Sequence, residues 1–322
     1  PANSRFATNI QNSLEEISMA TTFRTIAKYE RKILMRSWFF RIFSALSLFV
    51  LFVFNMEEIS EVGNMGWAYR AVPSNMPYAN IFLLNIAQAF IAVFLSSEFI
   101  KRERRQDTTE VFYVRSMSNA TYLLGKAWSI LSIFLLINLA ALLMALIFNL
   151  LALNTSVDWQ AYLYYPLLLS LPTLLFIIGL STLIMSILRN QALTFVLVLG
   201  YIFSSLIYLK STYHYLFDFM AFYLPMFHSE IVGFGDWPTI LNLRGMYACF
   251  GLGFLFFSVL LINRLTQSRW MNILSLLLGL GFTAFALSLG YRHIVHYQKT
   301  TALPQQIVAL NNQYLDHPRI DI

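Results

Sequence analysis

The sequence predicts an all-α polytopic membrane protein, on three observations. Of 322 residues, 58% are hydrophobic and only 12% are charged, about half the ~25% charged content of soluble domains. Apolar runs long enough to cross a bilayer recur along the chain. The few charges divide unequally between alternate connections. Mean hydropathy is +0.61. A soluble domain of this length has too much surface to cover with so few charges. That excludes an ordinary cytosolic enzyme, a disordered chain and a disulfide scaffold. The single cysteine, Cys249, allows neither an internal disulfide nor a multi-cysteine metal site.

Residues 1–21 are polar and lack the apolar core of a cleavable signal peptide. Residues 22–38 read as an amphipathic helix. Phe23, Ile26, Ala27, Ile33, Leu34 and Trp38 fall near one face, and Arg24, Lys28, Arg31, Lys32 and Arg36 lie mainly elsewhere. Such a helix suits the membrane surface, with basic side chains among lipid headgroups. Glu30 interrupts its apolar face.

A span needs roughly 20 apolar residues to cross ~30 Å of hydrocarbon. Seven stretches qualify: Phe39–Met56, Asn80–Phe99, Ala127–Leu153, Tyr164–Leu188, Ala192–Leu209, Met246–Ile262 and Met271–Tyr291. Arg189-Asn190-Gln191 is a hairpin-sized turn between the fourth and fifth. Pro172 should kink the fourth, leaving a carbonyl for a neighbouring helix to satisfy. With the N-terminus inside, the inner connections hold sixteen Lys/Arg and seven acids, and the outer ones six and nine. This is the positive-inside bias. It predicts an N-in, C-out topology and accounts for the net charge of +6 without nucleic acid.

Ten of the inner charged residues cluster in residues 98–126, EFIKRERRQDTTEVFYVRSMSNATYLLGK. Asp107–Val114 is a candidate short helix, with Asp107 or Thr108 as its cap and Glu110 in its first turn. Phe112 and Tyr113 would insert into a groove on a cytoplasmic partner. The charges suit a solvated, topology-setting loop equally well.

This segment and its neighbours resemble the transmembrane subunit of an ABC-2 type transporter. YERKILMRSWFF (29–40) is similar to that family's elbow helix before the first span. Residues 94–126 are similar to the end of its second span and its coupling loop. Glu98, Arg102, Arg104, Arg105, Thr108, Glu110, Gly125 and Lys126 fill the places of that loop's acid, basic cluster, Gly-Thr-x-Glu and Leu-Gly-Lys. Asp107-Thr108 stands where Gly-Thr is usual, and Ser116-Met117-Ser118 where a proline is common. The resemblance covers residues 22–265. It implies an interfacial elbow helix (Phe23, Ile26, Tyr29, Arg31, Lys32, Trp38), a six-span unit, and a re-entrant helical hairpin within 210–245. It also implies a partner cytoplasmic ABC ATPase dimer that binds ATP and Mg, and a second permease copy or paralogue.

The chain itself lacks a P-loop. Around Gly125-Lys126, its single Gly-Lys pair, Ala120 replaces the first glycine and Ala127 the Ser/Thr. No cofactor, metal or catalytic set is expected. His293 and His296 are spaced i, i+3, and the reading favoured is interfacial histidines beyond the last span. Asn85, Gln88, Asn138 and Asn149 are intramembrane polar residues, and bonding between helices is their leading role. The seventh span, within 266–291, exceeds the family's six. It leads to a tail, 292–322, with Pro304 and Pro318 as breakers and a strand-like end at Arg319–Ile322. That layout resembles bacterial permeases of the inner membrane joined to an aminopeptidase-like extracytoplasmic domain. The expected function is a permease subunit. The alternative is a non-transporting anchor or scaffold for an external domain.

Overall fold

The computed structural model describes residues 20–59, 72–105, 118–152, 156–209, 214–229, 232–262 and 269–315. Helix α1 covers 20–36. It ends at Ser37, whose amide is shared by the carbonyls of Ile33 and Leu34. Helix α2 is Trp38–Ile59, α3 Asn75–Arg105 and α4 Asn119–Leu151. Helix α5 runs Trp159–Leu188, with a π-helical turn at Pro166–Ser170. Then come α6, Gln191–Ile207; α7, Trp237–Leu261; and α8, Arg269–Leu315. Two-residue strands β1, His228–Ser229, and β2, Gly233–Phe234, pair antiparallel before α7.

Six of these helices are long and apolar enough to cross a membrane: α2, α3, α4, α5, α7 and the Arg269–Lys299 part of α8. The fifth expected stretch forms the shorter apolar helix α6. At 17 residues its length is about 25 Å. The turn before it is built as the sequence suggests. Arg189 takes the left-handed conformation, φ 57°, and Asn190 caps α6 through the amides of Ala192 and Leu193.

Helices α3 and α5 are central, with 61% of each span window buried, whereas α2 has only 17% buried. Helix α7 packs along both α5 and α8. Its backbone meets α5 at Gly251 and Gly179, where a Cβ on either residue would overlap the other helix's main chain. Small residues at such a crossing let helices gain dispersion contact where lipid supplies no hydrophobic drive.

Several expectations need correction. Helix α4 starts at Asn119, not Ala127, and α7 at Trp237, not Met246. Polar residues in these first turns find partners on other elements: Asn119 donates to the Ile262 carbonyl. No helical hairpin occurs in 214–229 or 232–236. Buried turns there carry Phe219, Met220, Leu224 and Met226 against the bundle, followed by the β1–β2 pair. Pro304 does not break α8, which continues to Leu315. A proline removes one donor from a helix, and water can solvate the Thr300 carbonyl that it would have served.

Candidate functional site

Two regions bring polar side chains together, and the first is the junction of α1 with the start of α4. Phe23, Ile26, Ala27 and Ile33 are half-buried and Leu34 is buried, as a 3.6-residue period requires. Glu30 completes that face. Its carboxylate meets the Lys126 ammonium at 3.2 Å, and both residues are buried. The same ammonium lies 4.6 Å from the centroid of the Tyr122 ring. The residue that spoils the amphipathic pattern of α1 is thus the counter-charge of a lysine on α4. A Cβ at Gly125 would press on Ile26, 3.2 Å away, so glycine allows α1 to lie close to α4 here. Tyr29, Arg31 and Lys32 are exposed. Trp38 leaves the apolar face and is 76% exposed, just beyond the break at Ser37 where α1 ends.

The basic segment lies between α3 and α4. Glu98 is exposed at the end of the apolar part of α3. Arg102, Arg104 and Arg105 occupy the last turn of that same unbroken helix. Thr108, Glu110 and the candidate helix Asp107–Val114 lie outside the described residues. Gly125 and Lys126 sit two turns inside α4 rather than in a loop.

The second region is a buried polar network joining α3, α4, α5 and α7. Pro172 has no N–H to offer the Leu168 carbonyl one turn back. Arg244, on α7 and 1% exposed, supplies the donor from outside the helix. Its Nε donates to the Leu168 carbonyl at 2.6 Å. Its Nη1 donates to the Phe219 carbonyl, and its Nη2 to the Leu169 carbonyl and Thr173 Oγ1, each at 2.7 Å. The planar five-donor fork of arginine serves several acceptors at once, as lysine's point charge does not. From Thr173 the network continues through Asn85, which also donates to the Met220 carbonyl at 2.9 Å. Gln88 donates to Asn85 and Ser170. Asn138 donates to Gln88 at 3.0 Å and accepts from Ser170 at 2.8 Å. Asn55 and Asn80 form a separate reciprocal pair between α2 and α3.

Asp218, in the excursion between α6 and α7, accepts the amides of Phe222, Tyr223 and Leu224. Burial raises its carboxyl above the usual carboxylate range; the amides and nearby Arg244 oppose that shift without cancelling it. At the start of α5, Asp158 caps the helix through the amides of Gln160 and Ala161 and pairs with His228 Nδ1, both residues buried. Ser74 donates to the His228 carbonyl, and the His228 amide to the Tyr165 hydroxyl.

Asn85, Gln88, Asn138 and Asn149 therefore link helices, Asn149 through the Tyr162 hydroxyl at 3.3 Å. Sequence reading missed Arg244, which it counted with an outer loop, and also Ser170, Thr173, Asp218 and the Asp158–His228 pair. One signal was present: a proline in an apolar run implies a donor elsewhere, and Arg244 lies just before the sixth apolar stretch. His293 is buried and its Nε2 meets the His214 carbonyl at 2.9 Å, whereas His296 is exposed. Among the described residues no group of three His, Cys, Asp or Glu could hold a metal ion. No protein-family model matches the chain, and no curated protein sequence matches it.

Proposed function

We propose that the chain is the permease subunit of an ATP-driven transporter of ABC-2 type, seated in a bacterial inner membrane and driven by a separate cytoplasmic ATPase. In this reading α1 is the interfacial elbow and α6 crosses as a seventh span, with the N-terminus inside and the C-terminus outside. The observation that carries the proposal is the continuity of the basic segment with the bundle. Its first part is the last turn of α3, and its last part is the Gly125-Lys126 stretch of α4, clamped to α1 by Glu30. A partner pushing on the intervening residues would move α3 and α4 as levers. Such a partner favours one state by contacting the two states differently. The π-helical turn and Pro172 give α5 a natural flexing point. ATP chemistry belongs to the partner in this scheme, and the transported substrate stays open.

The test is purification of the full chain with whatever ATPase accompanies it. The Arg104→Glu/Arg105→Glu variant should insert normally yet lose most of its stimulation of that ATPase in reconstituted vesicles. Unchanged stimulation would refute the coupling role. A second reading, an anchor or scaffold without transport, is favoured by α8. Its 47 residues extend about 70 Å, well beyond ~30 Å of hydrocarbon, and could carry an external domain. Absence of any co-purifying ATPase would select that reading.

A further inference from the structure

A cavity of about 240 Å³ opens between α1 and α4, and Arg24, Lys28 and Arg31 line its α1 side. They repeat at i, i+4 and i+7, which places them along one flank of the helix. All three are exposed, and none forms an ion pair among the described residues. Trp128 and Ser132 form the α4 side. Lys126, by contrast, is neutralised by Glu30. The cavity therefore holds three cations without an ion-pair partner among the described residues, beside a hydroxyl and an aromatic ring.

What continues from the cavity identifies the ligand class. Trp128 is 50% exposed, and the same face of α4 then exposes Leu136, Leu139, Leu143 and Ile147, each at least 50%. Their helical spacing makes an apolar stripe that runs from Trp128 for about 28 Å. A soluble anion would use the cations alone and leave this stripe to bulk lipid. An amphiphile uses both. Tryptophan is suited to the junction, since its ring sits at headgroup level. Basic pockets between helices on the cytoplasmic side attract anionic headgroups.

We infer that this cavity is a binding site for the phosphate headgroup of an anionic phospholipid, with an acyl chain laid along the α4 stripe. The inference rests on the proposed position of α1 at the membrane surface. In the resting protein the lipid bridges α1 and α4 beside the Glu30–Lys126 pair, so local lipid composition acts on the same junction as the proposed partner.

The test uses the delipidated full chain in detergent. Retained lipid is counted by native mass spectrometry after addition of dioleoylphosphatidylglycerol or dioleoylphosphatidylcholine. One retained phosphatidylglycerol is expected, with phosphatidylcholine lost. The Arg24→Gln/Lys28→Gln/Arg31→Gln variant should lower retention by roughly tenfold or more, because each cation adds to headgroup attraction. Lys32→Gln/Arg36→Gln, outside the cavity lining, should retain lipid like the parent. Ser132→Phe fills the cavity without changing charge and should also lower retention. Equal retention of both lipids, or equal losses in the two charge variants, would overturn the site. So would full displacement by millimolar inorganic phosphate, which would assign the cavity to a soluble anion. A spin label at Tyr29→Cys, in a Cys249→Ser background, reports the depth of α1 separately. A label in bulk water refutes the interfacial α1, whereas the lipid counts decide the cavity.

Discussion

Arg244 connects a local defect of one helix to the packing of the whole bundle. Pro172 and the π-helical turn before it leave carbonyls of α5 short of donors, and the guanidinium meets them from α7. It also holds the Phe219 carbonyl of the excursion. Each buried carbonyl left without a donor costs about 1–3 kcal/mol. Arg244→Met should therefore lower stability by about 3 kcal/mol or more, seen as an earlier thermal transition in detergent size-exclusion assays. Arg244→Lys should recover only part of the loss, because one ammonium cannot span the same acceptors. If Pro172 is the reason for the clamp, Arg244→Met should cost less in a Pro172→Ala background, where the restored backbone amide can donate to the Leu168 carbonyl. Coupling between sites that share a partner is about 0.5–3 kcal/mol. Strict additivity would show that the clamp serves the excursion and not the proline.

At the scale of elements, the tightest dependence on sequence is the crossing of α5 and α7. The neighbours of Gly251 are main-chain atoms of Leu175 and Phe176, which have no rotamer to change. Gly251→Ala should separate the helices and cost about 1–3 kcal/mol, as overpacking usually does. Gly281, on α8, has open space around its missing side chain, so Gly281→Ala should stabilise by up to about 1 kcal/mol through helix propensity. Thermal transitions of the two variants moving in opposite directions would establish that close approach, rather than glycine content, matters. This contrast also explains what the sequence could reveal. Apolar runs specify that helices form, because length and hydropathy are properties of one segment. Helix ends shifted where polar residues in the first two or so turns find partners elsewhere: Asn119 on Ile262, Lys126 on Glu30, Arg244 on α5. Glu30 read as a blemish in an apolar face for the same reason, since its counter-charge lies nearly a hundred residues away. Asn85, Gln88 and Asn138 were visible as polar residues in apolar runs, but Ser170 and Thr173 were not, because one small hydroxyl hardly changes the hydropathy of an apolar run.

For the molecule as a whole, topology turns on α6. Six long spans alone would return the C-terminus to the side of the N-terminus, and a crossing α6 reverses that. Helix α6 contains no Lys, Arg, Asp or Glu, and at 17 residues it reaches the lower limit of about 17 for a span. Its direction argues for crossing. It starts at the tight turn that ends α5 and runs back toward the start of α5. Near its other end the Leu206 carbonyl accepts the Tyr223 hydroxyl from the excursion. Further along that excursion His228 pairs with Asp158, the cap of α5. Helix α6 therefore runs back along α5, with the Tyr201 ring 5.8 Å from that of Phe176. In a Cys249→Ser background, Ser156→Cys, Tyr208→Cys and Leu310→Cys should react with a membrane-impermeant maleimide in intact cells. Arg189→Cys should react only after permeabilisation. Labelling of Arg189→Cys and Tyr208→Cys from the same side would mean that α6 turns back within the membrane. Helix α8 would then end in the cytoplasm, and both the external-domain reading and the C-out topology would fall together.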